Sequence, residues 1–125
     1  MSVNRVALLG NVGKDPEVRD VSGAKVASFT LATSERYTDR NGNKHENTEW
    51  HNVVLWRNLA ELAESYVRKG NRLYVEGKLH TRSWESNGEK KYVTEIVGDK
   101  VELLERRDGA GEKAVQESDL PDDLF

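Results

Sequence analysis

The residues of this chain whose types and spacing could do chemistry are three tryptophans and a short series of cations. Trp50, Asn52, Val54 and Trp56 alternate with His51, Val53 and Leu55. Side chains two residues apart in an extended strand share a side, so the two tryptophans point together. At about 3.3 Å per residue they stand roughly 20 Å apart, too far to touch each other but well spaced for several successive flat rings. The same parity in 72–84 puts Leu73, Val75, Gly77 and Leu79 on one side and Tyr74, Glu76, Lys78, His80, Arg82 and Trp84 on the other. The first set reads as a core stripe. The second interleaves aromatic rings with positive charge, which is what a single strand of nucleic acid requires: π faces for its bases and cations for its phosphates.

Tryptophan is ordinarily mostly buried, so each ring has a competing structural reading. Trp84 ends its run beside the polar Ser86-Asn-Gly88, and Trp56 is followed at once by Arg57. Tyr37 lies in Glu35-Arg-Tyr-Thr-Asp-Arg40, where no apolar partner is near in sequence. With Trp50 these make four aromatics, among nine in the chain, that stand outside the alternating core set. Phe29, Tyr66 and Tyr92 read as core or half-buried, and Tyr74 divides evenly between the cation-bearing face and a place under the helix or at a subunit contact. His51 points to the apolar side and reads as a structural or interface residue; His45 reads as a solvated loop residue. His45, His51 and His80 lack metal-ligand spacing, and no nucleophile–base arrangement surrounds them. With no cysteine, disulfides, thiol catalysis and cysteine-ligated zinc are excluded, and neither a metal nor another cofactor is expected.

The elements that must position these side chains are short strands. A strand over 3–10 is broken by Gly10-Asn-Val-Gly-Lys-Asp-Pro16, with 18–21 continuing it beyond a bend. Residues 25–34 alternate, Ala27, Phe29 and Leu31 against Ser28, Thr30 and Ala32, as a half-buried strand does. A polar loop containing Asn41-Gly42 leads to a strand over 48–57. The period then changes: Leu59, Leu62 and Tyr66 recur at helical spacing, with Asn58 as N-cap, Glu61 as its capping-box partner and Gly70 as C-cap. Strands over 72–84 and 91–104 close the body across the hairpin turn Asn87-Gly88. Five strands with one helix between the third and fourth match a five-stranded Greek-key OB-fold barrel, an all-β architecture with one short helix, although element order alone also fits other small barrels or an α+β sheet.

Charge is unevenly distributed. The chain of 125 residues carries a net charge of -3, which fits one domain and seems to argue against a polyanionic partner. Residues 1–107 hold 18 basic and 16 acidic side chains, whereas 108–125 hold one base and six acids. The body is therefore +2 and the tail -5. The tail has no periodic apolar face, so two units are expected: a binding domain over 1–107 and a disordered acidic tail over 108–125. No apolar run approaches the ~20 residues of a membrane-spanning helix, and no secretory or transit signal opens the chain, so a cytoplasmic location without a membrane partner is expected.

Several ordered motifs resemble the bacterial-type single-stranded DNA-binding protein family. They are Asn4-Arg-Val-Ala-Leu-Leu-Gly-Asn-Val-Gly-Lys-Asp-Pro-Glu-Val-Arg19, Thr48-Glu-Trp-His-Asn-Val-Val-Leu-Trp56, Tyr66-Val-Arg-Lys-Gly70, Tyr74-Val-Glu-Gly77 and Thr81-Arg-Ser-Trp84. The resemblance implies base stacking by Trp50, Trp56, Trp84 and Tyr37, the last at a site often occupied by Trp. Resemblance and facing together imply phosphate contacts by Arg5, Arg57, Lys69, Lys78 and Arg82. It also implies a homotetramer with His51 near the subunit interface, where Tyr74 is the second candidate, and a nucleoid-associated place in the cytoplasm. The tip formed by Asp119, Leu120, Pro121, Asp122, Asp123, Leu124 and Phe125 resembles the family's partner-docking end, with Pro121 four places upstream of the terminal Phe rather than beside it. The expected function is a sequence-tolerant, non-enzymatic binder that coats single-stranded DNA in replication, recombination and repair, and recruits other proteins by its tip. The competing readings are an OB-fold primosome or adaptor protein that binds nucleic acid secondarily, which the acidic tip disfavours, and a small hydrolase, for which no constellation of residues is present.

Overall fold

The computed structural model describes residues 1–106. Its elements are β1 (Val6–Val12), β2 (Glu17–Val21), β3 (Ala24–Thr38), β4 (Lys44–Trp56), α1 (Asn58–Tyr66), β5 (Asn71–Ser86) and β6 (Glu89–Arg106). They form one sheet in the order β1-β5-β6-β4-β3-β2, and β1 also pairs with β3 through Asn11↔Ala32 and Val12↔Leu31, which closes the sheet on itself. A methyl group at Gly10 would lie 2.1 Å from the Ala32 carbonyl oxygen, so this seam depends on a residue without a side chain. All neighbours are antiparallel except β4 and β6, which meet in parallel at Val53↔Ile96 and Val54↔Val97. This is the expected OB-fold barrel, with one revision. Residues 17–21 form a strand of their own, turned back onto β3 through Ser22-Gly23, where both residues have positive φ.

Alternation decides the core. Ala27, Phe29 and Leu31 of β3, Val53 and Leu55 of β4, Leu73 and Val75 of β5, and Val101 and Leu103 of β6 converge inside the barrel. Each fully buried leucine or valine contributes about 1.5–3 kcal/mol by leaving water. The helix closes one end with Ala60, Leu62 and Ala63, and a 2.6 Å Lys25–Glu64 ion pair ties its exposed side to β3.

The helix termini depart from expectation. Asn58 is already helical, the N-cap position is Arg57 at φ 58 and ψ -119, and no side chain caps the helix. The Arg57 N–H is instead engaged by the Lys25 carbonyl at 2.8 Å, which locks the β4–α1 corner. At the other end the helix stops at Val67, whose N–H reaches the Ala63 carbonyl, and the Arg68 guanidinium donates to the Glu64 and Val67 carbonyls. Gly70 lies beyond the cap, in a turn that returns to β1 through a 2.8 Å bond from its N–H to the Val12 carbonyl.

Two hairpins outgrow the barrel. β3 and β4 stay paired in register out to Thr38↔Lys44, four residues past the expected ends at 34 and 48, and β5 and β6 out to Ser86↔Glu89, two residues past the expected ends at 84 and 91. Asn87 and Gly88 both have positive φ, as a tight hairpin turn of the expected kind requires. Because these arms extend beyond the core, Leu79 and Tyr92 are exposed, against the expectation that the first packs in the core stripe and the second is half-buried.

Candidate nucleic-acid interface

Strand pairing assembles the face opposite the core from five strands. Antiparallel partners share a side, so Arg19 stands with Val26, Val26 with Trp56, Ser28 with Val54, and Ala32 with Trp50. On the other arm His80 stands with Glu95, Arg82 with Val93, and Trp84 with Lys91, and the β4–β6 contact joins the two halves. The result is a groove of about 560 Å³ floored by Val26, Val54 and Val97, with Trp56 and Arg19 on one wall and Lys78, His80 and Arg82 on the other. A recess of about 170 Å³ shares Ser28, Val54, Arg82 and Glu95 with it and continues to Lys14 and Asn52.

Trp50, Trp56 and Trp84 are 61%, 40% and 43% exposed, far from the burial that a core role needs. Trp50 lies across the turn at Gly13, where a β-carbon would fall 2.5 Å from the indole. Trp84 continues the face outward along the β5–β6 arm, with the Arg82 guanidinium 5.1 Å from its ring centroid. Glu95 accepts from Arg82 Nε at 3.0 Å, which fixes that guanidinium beside the indole.

Tyr37 stands apart from the tryptophans. It is 49% exposed, but its cross-strand partner is His45, whereas Trp50 shares a face with Ser34, Thr48, Arg36 and Glu46. Tyr37 and Trp50 therefore occupy opposite faces of the β3–β4 arm. The Tyr37 and His45 rings stack with centroids 5.0 Å apart and planes 19° from parallel.

The five expected phosphate-binding cations separate in the same way. Lys78 and Arg82 line the groove, and Arg57 follows Trp56 at the exposed β4–α1 corner. Arg5 is engaged on another surface: its guanidinium reaches Asp99 at 2.6 Å and Glu76 at 3.2 Å, and the bond to Asp99 raises its pKa. Glu76 also accepts from the Tyr74 hydroxyl, which holds that phenol above its ordinary range. Lys69 sits in the turn after the helix, where its backbone N–H donates to Asp15 at 2.8 Å, and it does not line the groove. His51 is half-buried and hydrogen-bonded to Thr33 at 2.9 Å. The tip from Asp119 to Phe125 and the 108–125 tail lie outside the described residues.

Arg19 and Glu95 belong to the groove, and Lys14 to the recess beside it, without having been singled out from the sequence, and His80 lines the groove although it carried no assigned role. The alternation of β2 was the available signal: once 17–21 is folded back on β3, Glu17 and Arg19 must share a side with Ser28 and Val26.

Among the described residues no group of three or more His, Asp or Glu is placed to hold a metal ion, and no helix is long and apolar enough to cross a membrane. A curated relative, Single-stranded DNA-binding protein 1 of Chlorobaculum tepidum, is 48% identical over 112 residues, covering 87% of this chain and 69% of that protein. A solved structure described as the Plasmodium falciparum SSB complex with ssDNA superposes with a TM-score of 0.76 at 40% identity, covering 84% of this chain and 97% of that one. The chain matches the Single-strand binding protein family over residues 3–104, and it belongs to that family.

Proposed function

We propose that this protein binds single-stranded DNA without sequence preference, with Trp50, Trp56 and Trp84 stacking on bases and Lys78, Arg82 and Arg57 meeting phosphates. The observation that carries the proposal is one shared face: Trp56, Lys78 and Arg82 line its apolar-floored groove, and the exposed Trp50 and Trp84 extend that face beyond it by strand parity. Stacking contributes about 1–3 kcal/mol per base and tolerates any sequence, because every base has a π face. Likeness to a solved complex with ssDNA supports the reading. The proposal includes coating of exposed strands in replication, recombination and repair and recruitment of partner proteins through the acidic tip, and family membership supports both.

A homotetramer is part of the proposal. Residues 6–10 of β1 have β5 on one side and no strand on the other among the described residues, and Leu9, exposed, stands opposite Tyr74. A second copy laid along that edge would continue the sheet. Light scattering distinguishes about 57 kDa, four times 14.2 kDa, from a single chain.

Tryptophan-fluorescence titration with poly(dT) at low salt tests the binding surface. Quenching is expected, and Trp84→Ala should weaken binding by about 1–3 kcal/mol. Absence of quenching would overturn the stacking model.

A further inference from the structure

The face of the β3–β4 arm turned away from Trp50 carries its own aromatic surface. Tyr37 and His45 stack there, and His45 Nε2 meets Asp39 Oδ2 at 2.8 Å. Asp39 is built into the turn: its other oxygen accepts the backbone N–H groups of Asn41 and Asn43, each at 2.9 Å. The turn thus fixes the carboxylate, the carboxylate fixes the imidazole, and the imidazole backs the phenol. A shallow pocket of about 520 Å³ lies at the tip of the arm, lined from both faces by Tyr37 and His45 and by Arg36, Thr38, Lys44 and Glu46.

We propose that Tyr37 and His45 act together as a two-ring, proton-linked platform for a DNA base and its phosphate, on the reverse face of the β3–β4 arm. The proposal rests on the reading of the chain as a single-stranded DNA binder and adds His45 as a contact and Asp39 as the residue that positions it. Backed by His45, the phenol offers its outer face to a base. With Nε2 turned to Asp39, a second proton on the ring makes it a cation stacked on Tyr37 and available to phosphate. Histidine is the side chain whose ordinary charge change falls between pH 5 and 8, so the platform is stronger in mild acid. The charged groups of the arm tip are Glu35 and Arg36 on β3, Asp39 and Arg40 in the turn, and Lys44 and Glu46 on β4. Arg36 and Glu46 pair with each other at 3.2 Å on the opposite face, and no third strand reaches the tip among the described residues.

The test is the affinity of the full chain for oligo(dT) at low salt, measured from about pH 8 to pH 5.5, in the wild type, His45→Phe and Tyr37→Ala. His45→Phe keeps the stack and removes the proton. It should match the wild type at high pH and fall behind by about two- to fivefold at low pH, the value of one exposed charge pair between imidazolium and phosphate. By NMR, the His45 ring resonances should shift on adding oligo(dT), with the imidazole titrating at higher pH in the complex. Superimposable pH profiles, or ring resonances that ignore DNA, would overturn the inference. If Tyr37→Ala still weakens binding in that case, the stacking assignment of Tyr37 stands and His45 alone is withdrawn. His45→Gln, which keeps a polar group toward Asp39, guards against a Phe variant that disturbs the turn: loss of the low-pH gain in both variants supports the proton link.

Discussion

The indole of Trp50 lies against the backbone of Gly13, so closely that a β-carbon there would sit 2.5 Å from Cζ3 and 2.7 Å from the Thr30 hydroxyl. The Gly13 N–H is meanwhile held by the Thr30 carbonyl at 2.9 Å, so the backbone cannot withdraw to make room. Gly13→Ala should therefore rotate the indole out of its place while leaving the barrel folded. Its expected signature is an affinity for poly(dT) lowered by up to about tenfold, less than the full loss of one stacked base. Unchanged affinity would show that the ring binds equally well from another rotamer.

Arg57 separates stability from binding. Its φ of 58 with ψ -119 is a conformation that glycine adopts freely and other residues hold at a cost of about 1–3 kcal/mol. Arg57→Gly should raise the melting temperature and, at the same time, reduce the salt dependence of DNA binding by about one counterion. A fall in both would mean that the guanidinium stabilises the corner more than the backbone strains it.

Arg82 and Arg5 should respond differently to the same truncation. Arg82 lines the groove, where it is paired with Glu95 through Nε, so Arg82→Ala should lower the slope of log affinity against log salt by up to about 0.7, the single-strand value for one phosphate contact. Arg5 is committed to Asp99 and Glu76, so Arg5→Ala should leave that slope unchanged and alter thermal stability or association instead. Equal slopes in the two variants would remove the distinction.

Acid should loosen the tip of the β3–β4 arm before the barrel. The bond from His45, then those from the Asn43 and Asn41 backbone N–H groups, hold the Asp39 carboxyl below the ordinary carboxylate range. A carboxylate with a depressed folded pKa lends stability that is present above the unfolded value, about pH 3.9, and is lost as the pH falls through the folded one. Amide exchange at Asn41 and Asn43, corrected for intrinsic rates, should therefore speed up below about pH 4 while Leu55 and Val75 stay protected. Asp39→Asn should show the faster exchange already at neutral pH; protection independent of both changes would assign the turn to its backbone bonds alone.

Much of this was legible in the sequence because strand parity is strict. Trp50 and Trp56 on one side of β4, and Lys78, Arg82 and Trp84 on one side of β5, follow from counting by twos, and pairing left them where the count put them. What counting could not supply was where a strand leaves the core. Leu79 keeps the parity of Leu73 and Val75, yet it lies on an arm beyond the barrel and faces water. Tyr92 is exposed for the same reason. Arg5 was misleading in another way: its partners Glu76 and Asp99 lie more than seventy residues away, and Asp99 reaches it where the β5–β6 register shifts between Glu76 and Gly77. The helix cap failed on a local point, since a sharp corner at Arg57, fixed by a tertiary bond to Lys25, displaced Asn58 by one position.

The bare edge of β1 bears on more than assembly. Over residues 6–10 its unpaired backbone N–H and C=O groups are a template for any extended chain, and Val6-Ala-Leu-Leu-Gly10 carries no charge to repel one. If a second copy takes that edge, association and folding draw on the same hydrogen bonds, and melting becomes dependent on protein concentration. Dilution would then loosen the chain itself as well as its grip on DNA.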